Sequence, residues 1–263
     1  MHSLNIMPSK KERYKKTLIN LANSGRFIPG IYNYCDRWCE RCTMTSKCLT
    51  FNHEQAMKED ATDPETNDIS NEKFWENLHM SFQVTFELLE EDAKRFGIDL
   101  NNLPDIEIKE PEEKPVEELA QKYSMKMLKW LQANNENLKT KAEQLLIVGN
   151  DAKQAVKFAD AWEVVQWYSV FIAAKVHRAH FELDERLEEE EDEYNIFSDN
   201  LGSAKIAIIA IERSIVALSA MYSMMPENED DYLQFLSMLS KIKKLMIETF
   251  PTAMDFKRPG FDD

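Results

Sequence analysis

Glycine and proline are scarce in this chain, with only 6 glycines and 9 prolines among 263 residues. Globular proteins average about 7% glycine and about 5% proline. Few glycines leave few positions for tight hairpin turns, so the composition favours helices over sheet. The sequence also contains no G-x-G-x-x-G or G-x-x-x-x-G-K-[ST] pattern. Dinucleotide-binding and phosphate-loop folds are therefore not indicated.

Export and membrane signals are also missing. The first sixteen residues, MHSLNIMPSKKERYKK, hold no apolar stretch of signal-peptide length, so we expect no export. The longest apolar run, Ile206 to Met225, is interrupted by Glu212 and Arg213. A charge at the centre of a bilayer costs roughly 2.5 to 3.5 kcal/mol, so we expect a helix buried in protein and no membrane partner. The predicted location is the cytoplasm.

The charge is unevenly distributed. The chain carries a net charge of -15, yet residues 1–50 contain 9 Lys and Arg against 3 Asp and Glu, which gives +6. The basic segment could face the acidic remainder of its own chain or an anionic partner such as nucleic acid. We favour the first interpretation, because the acidic remainder would repel a phosphate backbone. A protein partner stays open.

Apolar residues recur at helical spacing through most of the chain, which predicts an all-α protein. The pattern, with its caps and breakers, predicts helices over residues 10–23, 71–97, 116–148, 152–187, 201–225 and 230–250, the third with a break near Asn134–Asn135. Short connections between most of them favour an antiparallel helical bundle of four to five helices, with a small N-terminal metal module that has four cysteine ligands.

The composition suggests four segments. We expect a basic helix and a cysteine metal-binding module in residues 1–51, a polar connector in 52–73, an acidic helical bundle in 74–250 and an irregular tail in 251–263.

All the cysteines of the chain, Cys35, Cys39, Cys42 and Cys48, fall within 14 residues, in the spacing C-x3-C-x2-C-x5-C. Spacings of four and three residues bring three sulfurs to one side of a helical turn or knuckle. The fourth sulfur can return on a short loop. This pattern predicts one metal site with four thiolate ligands.

Two other states of the cysteines fit the sequence less well. A cluster of buried, unligated thiols fits poorly, because the cysteines alternate with Asp36, Arg37, Glu40, Arg41 and Lys47. Two disulfides are disfavoured by the missing export signal.

The identity of the metal is open between iron–sulfur and zinc, because thiolates suit both. Structural zinc sites usually join two well-separated ligand pairs, whereas compact cysteine runs are more typical of cubane clusters. We therefore favour a [4Fe–4S] cluster, with zinc as the alternative. Aromatic neighbours could shield either from water: Phe27, Tyr32, Tyr34, Trp38 and Phe51.

The segment from Cys39 to Cys48, C-E-R-C-T-M-T-S-K-C, resembles the C-x2-C-x5-C end of the iron–sulfur staple in RecB-type helicase-nucleases. The resemblance covers ten residues and implies cluster chemistry. In those nucleases the first cysteine lies far upstream, whereas Cys35 lies four residues before Cys39. No nuclease motif is recognisable, so nuclease activity is not implied.

Charged residues occur inside the apolar helices. Asp160, Glu163 and Arg178 fall on one side of their predicted helix, while Lys205 and Glu212 lie seven residues apart on the next. Buried charges must be paired or solvated. These five residues therefore form either structural ion pairs or a polar pocket that could bind an anionic cofactor or substrate.

Three functions follow. The leading expectation is a cytoplasmic metal-binding helical protein whose four-cysteine site has a structural, redox or interaction role. The alternatives are an iron–sulfur oxidoreductase with the polar pocket, and a nucleic-acid-binding protein that uses the basic N-terminal module. Whether the protein is an enzyme is left open.

Overall fold

The structure, a computed structural model, describes residues 9–60, 68–102, 114–147, 152–181 and 196–262. All the regular secondary structure in these ranges is helical, and no strand occurs in them. The prediction of an all-α protein is confirmed.

Seven α-helices and several short 3-10 turns make up the described residues. The helices are α1 (Lys10–Ala22), α2 (Leu49–Asp60), α3 (Glu72–Phe96), α4 (Pro115–Ile147), α5 (Ala152–His180), α6 (Ile196–Met224) and α7 (Glu229–Thr249). The 3-10 turns are Ile31–Asn33, Cys39–Arg41, Thr45–Lys47, Pro226–Asn228 and Ala253–Asp255.

The chain forms two compact units. The first comprises the described parts of 1–32 and 39–109, and the second comprises 33–38 with the described parts of 110–263. Helix α2 occupies the start of the segment expected to be a connector, and α3 belongs to the first unit. The sequence had suggested a single bundle over 74–250.

In the first unit, end caps and ion pairs define the helices. Ser9 and Glu12 form a reciprocal capping box at the start of α1. Asn71 caps the start of α3, and Gly97 ends it with a left-handed φ of 70°. Both ends of α3 therefore lie where the sequence predicted them. Lys15 on α1 pairs with Glu91 on α3 at 2.8 Å.

In the second unit, α4 to α7 are arranged as antiparallel neighbours. Contacts link α4 with α5 and α7, and α6 with α5 and α7. Lys126 and Trp130 of α4 donate hydrogen bonds to Gln234 and Asp231 of α7, respectively. The residue numbers rise along α4 while those of the partners on α7 fall, so the two helices run in opposite directions. Buried side chains fill the space between the helices; the largest include Tyr123, Phe158, Tyr168, Ile172, Ile208, Leu218 and Tyr232.

Three helix boundaries differ from the prediction. Helix α4 continues through Asn134–Asn135, where the Asn134 side chain donates a hydrogen bond to the Trp130 carbonyl one turn earlier. Helix α5 ends at His180, and residues 182–187 of the predicted helix lie outside the described residues. Helix α6 begins at Ile196, five residues before the predicted start.

No helix in the described ranges is long and apolar enough to cross a membrane. Helix α6 carries nearly all of the apolar run Ile206 to Met225, and Glu212 and Arg213 in its middle are exposed. Ile208, Ile211 and Leu218 of the same run are buried in the hydrophobic core.

Helix α6 also contains a glycine in close contact with two aromatic rings. A Cβ atom built on Gly202 would overlap the ring of Tyr34 and would lie 2.9 Å from Cε1 of Phe256. The two rings pack edge to face with centroids 4.8 Å apart. The missing side chain therefore makes room for Tyr34 against the helix.

We predict that Gly202→Ala destabilises the protein by about 1 to 3 kcal/mol, because the methyl group displaces the Tyr34 ring. This reverses the usual gain of up to about 1 kcal/mol when alanine replaces glycine within a helix. Chemical denaturation of the wild type, Gly202→Ala, Tyr34→Ala and the double variant measures the effect. In the Tyr34→Ala background the same substitution should cost clearly less, because only the 2.9 Å approach to Cε1 of Phe256 then remains. A destabilisation of the same size in both backgrounds would contradict this assignment.

Candidate metal centre

Two of the cysteines lie at the ends of one tight turn. The 3-10 turn Cys39–Arg41 is closed by a hydrogen bond of 3.2 Å from the Cys42 amide to the Cys39 carbonyl. A hydrogen bond between residues three apart reverses the chain and keeps the two Cα atoms within about 7 Å. The backbone therefore holds Cys39 and Cys42 close together.

The sulfur of Cys42 accepts a backbone hydrogen bond. The Met44 amide lies 3.3 Å from the Cys42 Sγ. Amide donors directed at a sulfur stabilise thiolate charge, and hydrogen bonds of this kind tune iron–sulfur centres. The turn after Cys42 thus supplies a polar environment suited to a thiolate ligand.

A second turn positions Cys48. The turn Thr45–Lys47 ends at Cys48, whose amide donates to the Thr45 carbonyl at 3.2 Å. One turn into α2, the Asn52 side chain donates to the carbonyls of both Thr45 and Cys48, at 2.8 and 2.9 Å. Cys48 directly precedes α2, and a helix N-terminus favours negative charge.

His53 is a residue that sequence reasoning did not single out. Its ring packs edge to face on Tyr14 with centroids 5.2 Å apart. Its Nε2 atom is buried without a hydrogen-bond partner among the described residues. Burial lowers the pKa of the imidazole, opposed by the Glu54 carboxylate. A neutral imidazole five residues after Cys48 has the chemistry of a metal ligand, although four thiolates already complete a tetrahedral set.

Cys35 belongs to a different part of the structure, a docking segment formed by residues 33–38 in the second unit. Within this segment, Asp36 makes the main polar contacts with the rest of the second unit. The carboxylate oxygen Oδ2 of Asp36 accepts hydrogen bonds from the Tyr168 hydroxyl at 2.7 Å and from Arg213 at 2.8 Å. Arg213 also donates to the Tyr168 oxygen at 2.6 Å. The three side chains therefore form a closed hydrogen-bonded triangle.

Aromatic stacking and a backbone contact hold the same segment. The Trp38 ring stacks on Trp167 with centroids 5.1 Å apart and planes 14° apart. The Trp167 indole donates a hydrogen bond of 3.0 Å to the Asp36 carbonyl. Stacked aromatic pairs contribute about 0.5 to 1.5 kcal/mol beyond their buried area. The segment is therefore anchored on α5 through both its backbone and its rings.

The backbone is strained in the middle of the docking segment. Arg37 has a φ of 59°, a left-handed conformation that is costly for a residue with a Cβ atom. The Asp36 Oδ1 accepts a hydrogen bond from the Trp38 amide across it, at 3.2 Å. The side chain of Asp36 thus fixes the turn that directs Trp38 toward Trp167.

A buried cation lies beside Cys35. Lys175 is only 8% exposed, and its ammonium donates to the Asn33 carbonyl at 2.8 Å. Burial lowers the pKa of Lys175, and the Arg178 cation lowers it further, while negative charge at Cys35 and at Asp199 opposes the shift. Lys175 is therefore placed to compensate negative charge on the sulfur of Cys35.

The five residues predicted to line a polar pocket have different surroundings. Arg178 forms a two-point ion pair with Asp199, at 2.8 and 3.0 Å. Lys205 is buried, and its ammonium contacts Asp262 at 2.8 Å and the Phe256 carbonyl at 2.7 Å. Both cations therefore stabilise contacts within the second unit.

The other members of that set lie at the surface. Glu212 pairs with Lys243 on α7 at 2.7 Å and is exposed, as are Asp160 and Glu163 on α5. The structure thus places Arg178, Lys205 and Glu212 in three separate ion pairs with three different segments. This is the first of the two arrangements expected for them, structural ion pairs, and not a shared polar pocket. The structure does not support an interior position for Asp160, Glu163 or Glu212.

The four cysteines are thiols with partly buried side chains. In the part of the chain that the structure describes, no three His, Cys, Asp or Glu side chains are arranged as a set of metal ligands. The four-cysteine site therefore stays a prediction, which rests on chain spacing, the two cysteine turns and the hydrogen bond to the Cys42 sulfur.

Comparison with known proteins gives no relative from which a site could be inferred. The chain matches no protein family, and no curated protein or solved structure is significantly similar to it.

We predict a pH-dependent contribution of Tyr168 to stability. Burial, reinforced by the Asp36 carboxylate, raises the pKa of Tyr168 to about 12, against about 10 in an unfolded chain. The folded state therefore holds its proton where the unfolded state has lost it. This contribution is complete below pH 10, and about 2 kcal/mol of it should be lost as the pH rises from 10 to 12.

Urea denaturation of the wild type and Tyr168→Phe at pH 8, 10 and 12 measures the difference. At pH 8 the variant should be less stable by about 1 to 2 kcal/mol, because it loses two hydrogen bonds. Between pH 10 and 12 it should lose less stability than the wild type. Other tyrosines affect both proteins alike, so equal losses would show that the fold does not hold Tyr168 protonated.

Proposed function

We propose that Cys35, Cys39, Cys42 and Cys48 bind one metal centre, a [4Fe–4S] cluster in preference to zinc. The chain is then a metal-binding helical protein with a small N-terminal four-cysteine module, in which the centre has a structural or redox role. The observation that carries the proposal is the tight turn that brings Cys39 and Cys42 together. In it the Cys42 sulfur accepts a hydrogen bond from the Met44 amide.

The local backbone suits the chemistry of these ligands. Thiolates are negatively charged and need donors or cations nearby. Cys42 has an amide donor, Cys48 precedes the N-terminus of α2, and Cys35 has the Lys175 cation beside it. Three cysteines therefore have separate sources of positive potential, supplied by separate elements of the chain.

The charge of the centre fits these surroundings. Four thiolates with Zn²⁺, or with an oxidised [4Fe–4S] core, carry about -2 in total. The basic excess of +6 in residues 1–50 offsets that charge within the same stretch of sequence. Part of this excess pairs instead with carboxylates of α3, as Lys11 does with Glu87 and Lys15 with Glu91, and nucleic-acid binding by the module remains disfavoured.

Binding of the metal is coupled to local folding. Cys39, Cys42 and Cys48 are carried by two short 3-10 turns, which are easily adjusted compared with a long helix. Metal sites are commonly completed only when the ion binds, and the binding energy then appears as folding energy. We propose that the thiolates converge in this way, with the turns already near their final conformation.

The two metals would give the protein different roles. A [4Fe–4S] cluster supplies one-electron transfer, whereas zinc in a closed thiolate site is structural. Trp38, directly before Cys39 in the chain, is partly buried and stacked on Trp167, and we propose that its indole limits the access of water to the centre. We place the protein in the cytoplasm, where a reducing environment keeps four thiols available for metal.

We predict that replacing any one of the four cysteines by serine lowers metal content severalfold and leaves most of the helicity intact, because the second unit has its own core. The measurement is iron, acid-labile sulfide and zinc analysis after anaerobic purification, with circular dichroism for helicity. Ser46→Ala, within the same segment, is the matched control and should retain full metal content.

Equal iron and sulfide in the wild type would support the cluster. Stoichiometric zinc without iron would reject the cluster and retain the closed thiolate site. Absence of both metals under anaerobic conditions, with all four thiols reactive, would overturn the proposal.

A further inference from the structure

Helix α3 has a broad apolar face that is open to solvent. The five large side chains that form it are more than half exposed: Trp75 (53%), Phe82 (55%), Phe86 (63%), Leu89 (55%) and Phe96 (68%). At about 100° per residue they fall within an arc of about 80°. Such a concentration of aromatic surface on one helix marks an interaction site.

The opposite face of α3 is already occupied by α1. Lys10 and Lys15 contact Asn77 and Glu91, and Val84 is fully buried. These three α3 residues lie roughly opposite the apolar face on the helix. The contacts of α1 therefore do not account for the exposed side chains.

The apolar residues are spaced symmetrically about the middle of α3. Trp75 and Phe96, Leu78 and Ala93, and Phe82 and Leu89 are each equidistant from a point between residues 85 and 86, and Phe86 is next to that point. The intervals of three and four residues along the stripe are those of a coiled-coil seam. A helix with this pattern is complementary to an antiparallel copy of itself, since a two-fold axis requires self-complementary surfaces.

We infer that α3 pairs with α3 of a second copy of this chain, antiparallel, with the two-fold axis near Phe86. Trp75 of each copy then faces Phe96 of the other, and Phe82 faces Leu89. The occupant of the apolar face is therefore a second copy, and this inference does not depend on the metal centre.

The charges at the edge of the stripe select the antiparallel direction. Glu76 and Lys94 are 18 residues apart, about five full turns, and so lie at the same angle beside the stripe. Antiparallel pairing places Glu76 of one copy opposite Lys94 of the other. In a parallel two-fold pair the two copies of each flanking residue lie on opposite sides of the interface, so Glu76 would have no Lys94 opposite it.

The size of the face suits a reversible dimer. A large aromatic side chain offers about 150 to 250 Å² of surface, so five side chains that are more than half exposed present roughly 500 Å² per copy. Two copies would bury about 1,000 Å² of apolar surface, at the lower end of specific interfaces. We therefore expect dissociation in the micromolar range.

Sedimentation velocity of the full, anaerobically purified chain between about 1 and 100 µM tests the pairing. The wild type should shift from monomer to dimer across this range. Phe86→Glu should weaken the dimer by about 100-fold, as expected for a central apolar contact. Val216→Glu is the matched control, because Val216 is also exposed, at 70%, but lies on α6; it should dimerise as the wild type does.

Charge exchange tests the direction. Glu76→Lys and Lys94→Glu should each weaken the dimer, and the double variant should restore it, since the opposed charges are exchanged as a pair. A wild type that is monomeric at 100 µM, or a dimer that Phe86→Glu leaves intact, would overturn the inference. A dimer that the double variant fails to restore would reject the antiparallel arrangement. Circular dichroism confirms that each variant remains helical, and Phe82→Glu replaces Phe86→Glu if that variant unfolds.

Discussion

The carboxylate of Asp36 holds the cysteine-bearing segment 33–38 on the second unit. Tyr168 is almost completely buried, and a buried hydroxyl group without a partner costs roughly 1 to 3 kcal/mol. Asp36 supplies the acceptor for that hydroxyl, and Arg213 supplies a donor to both oxygens. The position of Cys35, one residue before Asp36, follows from this arrangement. The strained backbone at Arg37 persists because the contacts on both sides of it determine its conformation.

Local signals in the sequence predicted most of the helices. The ends of α3 were correct because Asn71 and Gly97 act through their own backbone geometry. The break expected near Asn134–Asn135 does not occur, because the Asn134 side chain folds back on its own helix and packing of α4 outweighs the low helix propensity of asparagine. The Asp36 triangle could not be predicted, since Asp36 lies 132 residues before Tyr168 and 177 residues before Arg213, and no local pattern connects residues so far apart.

The polar residues of the apolar helices show a related limit of sequence reasoning. A spacing of seven residues correctly places Lys205 and Glu212 on one face of α6, yet one is buried against Asp262 and the other is exposed beside Lys243. Helical periodicity gives the direction of a side chain around the helix axis. It does not show which neighbouring element, if any, packs against the helix at that position along its length. The cysteines are different, because their closeness in sequence alone restricts how far apart the sulfurs can lie.

The long separation of Asp36 from its partners also affects the order of events during synthesis. Arg213 follows Asp36 by 177 residues. A ribosome adds about 5 to 20 residues per second, so on the order of ten to thirty seconds pass before the last member of the triangle exists. Throughout that interval the cysteines belong to a nascent chain without a docking site for residues 33–38. The four thiols are therefore synthesised well before the residues that position segment 33–38 exist.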